Sequence, residues 1–244
     1  MSGAPLPLLG TFHEFSVAVE DVRAGVEFYE RLGFTQATTT DTYTHPYGVL
    51  SDGRLFIGLH QRNGPSPTLT FVRPGVAQSV PAFERAGLEL TACRIGEEVF
   101  NELAFQDPCG QAVAVLEART YSPVDREATE PSLCGDFAEV SLPVTDFSRA
   151  QAFWEPLGFV AADEAQHPYA HLTLTSDHLD LAFHQPPLCE RPMLVFRDAD
   201  LPARLALLRE RGVSFAATPR ALTSAAALLQ GPDGTPLLLL PAED

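Results

Sequence analysis

Residues 13–19 alternate, with Phe15, Val17 and Val19 on one face and Glu14, Ser16 and Ala18 on the other, which is the period of a half-buried strand. Asp21 follows as a helix N-cap. Val22, Val26 and Tyr29 then line one side of a short helix, and Gly33 stands where a left-handed C-terminal residue is wanted. Strand-like runs come next at 34–40, 47–51 and 55–60, the last two joined by a tight Ser51-Asp52-Gly53 turn. The order is β-α-β-β-β. Residues 68–117 repeat it, with strands predicted at 68–72, 88–94, 103–105 and 113–116 and a helix at 80–86. Pro81 fits that helix only in its first turn, because proline lacks the N–H that an interior position must donate.

The same pattern then returns. Glu14 to Asp21 (EFSVAVED) reappears 125 residues later as Glu139 to Asp146 (EVSLPVTD), and Phe28 to Phe34 (FYERLGF) reappears at that offset as Phe153 to Phe159 (FWEPLGF). His45-Pro46-Tyr47 matches His167-Pro168-Tyr169, His60-Gln61 matches His184-Gln185, and the turn from Asp107 to Gly110 matches that from Gly231 to Gly234. Small changes of offset are what loop insertions produce. The chain therefore divides into a first domain at 8–118 (modules 8–63 and 66–118), a linker at 119–134 rich in proline, serine and acidic residues, and a second domain at 135–242 (modules 135–188 and 191–242). In the last module Asp200 caps a helix at 201–211 that Gly212 stops.

Four β-α-β-β-β units, with F-[YW]-x-x-L-G-F closing the helix of the first in each pair and a D-P-x-G-like turn in the second, resemble the vicinal oxygen chelate superfamily. Its members include glyoxalases, bleomycin-resistance proteins and extradiol dioxygenases. The resemblance covers about 10–118 and 135–241. It implies an α+β fold of four βαβββ modules paired into two glyoxalase-like domains, with curved mixed sheets around clefts and helices outside. It also implies that function follows from what lines the clefts.

In metal-dependent members the ligands come from the first and last strands of the modules. The resemblance places Glu14 and Glu139 at the first of these positions, Gly58 and Ala182 at the next, then Thr68 and Met193, and finally Ala114 and Leu238. Each half keeps one carboxylate, whereas a divalent site wants three or more protein ligands. A shift of register changes the count. His60 and His184 lie two residues beyond Gly58 and Ala182, on the same strand face. By the same parity Tyr47 and Val49 face inward in the first half, and Tyr169, His171 and Thr173 in the second. Glu139, His171 and His184 are thus the residue types of a two-histidine, one-carboxylate site, which the first half cannot match because Val49 replaces the histidine.

A mid-strand carboxylate facing a cleft needs a partner, since burying it unpaired costs several kcal/mol, on the order of the desolvation of an ion. The partner is a histidine, a tyrosine hydroxyl, a metal or a cationic ligand. Without a metal, Glu14 and Glu139 are the candidate catalytic groups, as general bases raised in pKa by an apolar cleft. His60, His184, Tyr47, Tyr169, His171, Ser16 and Ser141 are then the candidate ligand-binding residues. His45 and His167 are read as turn residues before proline, and Tyr29 and Trp154 as core.

Composition narrows the partners. With 32 acidic against 16 basic side chains the net charge is −16, which argues against a nucleic-acid partner. Mean hydropathy is +0.01 and no apolar run reaches a membrane span, so a cytoplasmic protein without a membrane partner is expected. Cys93, Cys109, Cys134 and Cys189 form no C-x-x-C pair and read as reduced thiols. No phosphate-cradling glycine loop, serine elbow or H-E-x-x-H helix occurs. Two readings stand: a protein that binds a small molecule in a cleft without metal or cofactor, or a lyase, isomerase or ring-cleaving dioxygenase using Fe, Mn, Ni or Zn at Glu139, His171 and His184. Four modules can satisfy their pairing within one chain, so a monomer and a homodimer both remain open.

Overall fold

The computed structural model describes residues 7–38, 43–118, 132–219, 222 and 225–242. The first module comprises β1 (Thr11–Ala18), α1 (Val22–Arg31), β2 (Thr35–Gln36), β3 (Tyr47–Ser51) and β4 (Phe56–His60). The second comprises β5 (Thr68–Arg73), α2 (Val76–Arg85), β6 (Leu90–Arg94), β7 (Glu102–Gln106) and β8 (Ala112–Glu117). The third holds β9 (Asp136–Pro143), α3 (Phe147–Trp154), β10 (Val160–Ala165), β11 (His171–Thr175) and β12 (Leu181–His184). The fourth holds β13 (Met193–Asp198), α4 (Leu201–Glu210), β14 (Ala227–Gln230) and β15 (Pro236–Pro241).

Each half is one mixed sheet. The first has eight strands in the order β2-β3-β4-β1-β5-β8-β7-β6, and the second has seven in the order β10-β11-β12-β9-β13-β15-β14. The two modules of a half join where their first strands pair antiparallel, β1 with β5 and β9 with β13. Period-two alternation then sorts each strand. Phe15, Val17, Ile57, Leu59, Leu69 and Phe71 enter a helix-side core that continues into Val140, Leu142, Phe183, Leu194 and Phe196 of the other half. Glu14, Ser16, Gly58, His60 and their counterparts stand on the opposite face.

Helix starts follow their caps. Asp21 accepts the N–H groups of Arg23 and Ala24, Asp146 that of Arg149, and Asp200 that of Ala203. α2 departs from expectation by starting four residues earlier, which leaves Pro81 inside it. The cause is a cap from elsewhere: the Glu117 carboxylate at the end of β8 accepts the N–H groups of Gly75 and Val76 at 2.7 and 2.9 Å. Two strand expectations also shorten. Of 34–40 the strand keeps Thr35–Gln36, both exposed with no face to bury, Ala37 adds one bond to the Val49 carbonyl at 2.9 Å, and 39–40 lie outside the described residues. Among the described residues the fourth module is not a full βαβββ unit. Among them its counterpart of β6 is one bridge between Ala216 and Leu228, and Pro219, three residues on, has no N–H to pair.

The halves meet through their repeated motifs. Trp154 at the end of α3 donates its indole N–H to Asp107 in the D-P-C-G turn of the first half, at 3.4 Å. Reciprocally, Tyr29 of α1 is fully buried beside the Gly231–Gly234 turn, and Phe34 packs edge-on against Phe196. Within the predicted linker, 119–131 lie outside the described residues, while Leu133 donates its N–H to the Leu32 carbonyl at 2.8 Å. All four cysteines are free. Among the described residues no helix is long and apolar enough to cross a membrane.

Candidate functional site

In the first half the register sets Ser16 beside Gly58, and Gly58 in turn beside Val49. Glu14 lies over Gly58. A Cβ on that glycine would sit 2.2 Å from Glu14 Oε1, so the missing side chain is what makes room for the carboxylate. Glu14 is 1% exposed and fully engaged. Its Oε1 accepts from Ser16 Oγ at 2.7 Å and His60 Nε2 at 2.8 Å, and its Oε2 accepts from Tyr47 Oη at 2.5 Å. His60 Nδ1 then faces His45 Nε2 at 3.0 Å, and Ser16 Oγ continues to Thr70 Oγ1 at 2.7 Å. The rings of Tyr43 and Tyr47 pack against His60 at 4.9 and 4.6 Å.

This closed network corrects the expectation that Glu14 is raised in pKa. Burial pushes it up, but the bonds and charge from His60 and the bonds from Ser16 and Tyr47 outweigh burial and hold it below the ordinary value. His45, read as a turn residue, is instead the outer end of a Glu14–His60–His45 chain. Burial and the neighbouring His60 and Arg62 lower its pKa.

In the second half the same positions are wired differently. Glu139 is 6% exposed, yet its Oε2 accepts only from Thr173 Oγ1, at 3.3 Å, and its Oε1 is buried with no hydrogen-bond partner. Burial raises its pKa. The charges of His171 and Arg197 and the Thr173 bond pull it down without offsetting burial, and Asp180 pushes it further up. His184 does not reach Glu139. Its Nε2 must carry hydrogen to donate to the Cys189 carbonyl at 2.9 Å, so Nδ1 accepts from Ser141 Oγ at 2.8 Å. Burial pushes His184 down to about 4, against the opposing effect of that carbonyl.

His171 is placed on the same face and bonds the Tyr169 carbonyl through Nδ1 at 2.8 Å. With Gln166, His167 and Arg197 it walls a cavity of about 460 Å³, completed by Pro168, Leu240 and Pro241. Behind the cavity the face is apolar, a cluster of Tyr169, Met193, Val195, Leu238 and Leu240. Reading the sequence missed Arg197. The signal was there, since carrying the parity of β13 outward from Met193 and Val195 brings Arg197 onto the cleft face.

The residues present do not fit a divalent ion. At the positions the resemblance assigns to ligands, Gly58, Ala182, Met193, Ala114 and Leu238 supply no donor suited to one, and Glu14 is already engaged. Nor does the structure assemble the shifted set of Glu139, His171 and His184, because both ring nitrogens of His184 are committed to Ser141 and Cys189. Among the described residues no three His, Cys, Asp or Glu side chains are placed to share an ion.

No protein-family model matches the chain, and no curated protein matches its sequence. Solved structures do match it. The 2,3-dioxygenase LapB from Pseudomonas sp. KL28 superposes with a TM-score of 0.65 at 14% identity, covering 99% of this chain and 94% of that one. A mutant of 4-hydroxymandelate synthase from Streptomyces coelicolor gives 0.61 at 14% identity over 96% and 93% of the two chains. Homoprotocatechuate 2,3-dioxygenase from Arthrobacter globiformis gives 0.59 at 17% identity over 98% and 82%. The chain therefore shares the fold of these solved structures over nearly its whole length.

Proposed function

We propose that this protein binds a small organic molecule in the cleft of its second half, beside His171 and Arg197, without a bound metal ion. The observation that carries this reading is the contrast between two equivalent carboxylates. Glu14 has all its partners within the protein, whereas Glu139 keeps a buried oxygen without one. Such an atom costs about 1–3 kcal/mol, and a site that receives a ligand is one setting that retains it. The neighbouring cavity, about 460 Å³, lies in the range of roughly 300–1,000 Å³ typical of small-molecule sites, and its apolar floor with a few polar groups has their usual composition. Glu139 holds its proton to higher pH than Glu14, so its role is a hydrogen-bonding or proton-exchanging group at the back of the cleft.

A metal-dependent ring-cleaving activity is the second reading, favoured by the fold of the dioxygenases above and disfavoured by the donor set. One experiment separates the two. Protein purified without chelators is offered Fe, Mn, Ni and Zn and analysed for metal, in parallel with a thermal-shift screen of small aromatic molecules. The expected result is no retained ion and a ligand-induced rise in melting temperature that Glu139→Gln or His171→Ala diminishes. About one tightly held ion per chain, lost in His171→Ala, would overturn the binding reading in favour of the metalloenzyme.

A further inference from the structure

We infer that Ala182 positions the carboxyl group of the second cleft: its Cβ fills the place that the Glu14 carboxylate takes over Gly58, and so keeps Glu139 away from Ser141 and His184 and available to a ligand. That availability rests on the reading that this cleft binds a small molecule; the steric role of Ala182 does not.

The ladders make the two positions equivalent. Gly58 pairs with Ser16 on one side and Val49 on the other, and Ala182 pairs with Ser141 and Thr173. In the first half a Cβ on Gly58 would fall within the Glu14 carboxyl group, too close to its carbon and to both oxygens for any real contact. Ala182 carries that Cβ, fully buried on a strand held between β11 and β9. Glu139 is thereby barred from the position in which Glu14 accepts from Ser16 and His60, although the second half retains both partners as Ser141 and His184.

The neighbours record the displacement. Thr173, in the place of Val49, gives Glu139 its hydrogen bond, Oγ1 to Oε2 at 3.3 Å, and Oε1 stays buried with no partner among the described residues. Val195 stands where Thr70 holds Ser16, so Ser141 is released to donate to His184 Nδ1 at 2.8 Å. His171 stands where Tyr47 donates to Glu14, and turns instead to the Tyr169 carbonyl. The last two exchanges remove partners from the second site. The alanine keeps Glu139 from the two that remain.

The test is a double-mutant cycle read by urea unfolding of the intact protein at neutral pH, with Glu139→Gln made alone and together with Ala182→Gly. Alone, Glu139→Gln is expected to be nearly silent. With the methyl removed, Glu139 reaches Ser141 and His184, and the same substitution should raise the unfolding constant at least about tenfold, the coupling of groups in contact. A methyl that acts only by packing would give additive effects, and additivity would overturn the steric role. The charged groups that act on Glu139, namely His171, Arg197 and Asp180, are unchanged in all four proteins, so the cycle reads position rather than field. The mirror cycle keeps the test decisive if Ala182→Gly folds poorly. Gly58→Ala should cut the cost of Glu14→Gln, because the carboxylate has already left its network, and an undiminished cost would count equally against Ala182. Benzamide, benzoate and benzylammonium then probe the cleft by thermal shift. A rise in the wild type that Ala182→Gly diminishes is the expected result, and a rise that Ala182→Gly leaves intact would overturn the link between Ala182 and binding. No rise from any of the three at millimolar concentration, with coupling present in the cycle, would sink the cleft reading and uphold the steric role alone.

Discussion

Glu14 and Glu139 occupy the same place in a duplicated strand, yet one is the centre of a closed network and the other keeps an unpartnered oxygen. The difference does not lie in the carboxylates. It lies in what each neighbour bonds instead. His60 points its Nε2 at Glu14, whereas His184, its counterpart, donates to the Cys189 carbonyl and accepts from Ser141. Tyr47, opposite His60, donates to Glu14 in the first half, whereas His171, opposite His184 at the same ladder position, bonds the Tyr169 carbonyl and walls the cavity in the second. Duplication thus supplied two copies of one chemical position, and a few neighbouring side chains decided which became structural and which remained available.

The largest expected effect follows directly. Glu14→Gln removes the ionised acceptor from a buried histidine, serine and tyrosine, and is expected to cost roughly 3 kcal/mol. Glu139→Gln should change stability by less than about 1 kcal/mol, because little is bonded there to lose. The pH trends should oppose each other. Glu14 has a lowered folded pKa, so its contribution is present above the unfolded value and is lost as pH falls through the folded one. Glu139 has a raised folded pKa, so the wild type loses stability relative to Glu139→Gln as pH rises through that value. Urea unfolding of both variants across pH measures the pair, and equal losses in the two halves would erase the distinction drawn between them.

His184 carries the next effect. Its folded value of about 4 lies below the ordinary imidazole value of about 6.5, so the unfolded chain binds more protons between those limits. Stability should therefore fall as pH drops from about 6.5 to about 4, by roughly 3 kcal/mol at most. His184→Gln should flatten that slope in chemical unfolding. An unchanged slope would mean that His184 takes up a proton without leaving its place between Ser141 and Cys189.

Much of this was legible in the sequence, for reasons that also mark its limits. The repeat and the period-two alternation put Glu14, Glu139, Ser16, Ser141, Tyr47, His171 and both strand-end histidines on one face, because strand parity is fixed by local geometry. Parity says which face a side chain occupies but not which neighbour it bonds. His184 stands on the expected face and turns to a carbonyl in the 185–192 loop, a partner that no spacing announces. Arg197 went unread because its counterpart Val72 carries no chemistry to draw attention to the position. The early start of α2 and the loss of a strand from the fourth module depend on Glu117 and on a pairing reduced to Ala216, both tertiary events.

The smallest effect concerns the junction, where the two halves again treat equivalent residues unequally. Trp154 donates to Asp107 across the junction, but the Tyr29 hydroxyl is buried without a hydrogen-bond partner, as is Oδ1 of Asp233 in the facing turn. Burial together with the charges of Asp233 and Cys134 raises Tyr29 well above its ordinary value, so the phenol remains neutral. A neutral hydroxyl with no partner contributes desolvation cost and no bond, and removing it retains the ring that fills the core. Tyr29→Phe is therefore expected to leave stability unchanged or to raise it by up to about 1 kcal/mol, read as a small upward shift in thermal midpoint. A loss of more than about 1 kcal/mol would show that Tyr29 and Asp233 hold each other through a polar bridge, making the two junction contacts equivalent after all.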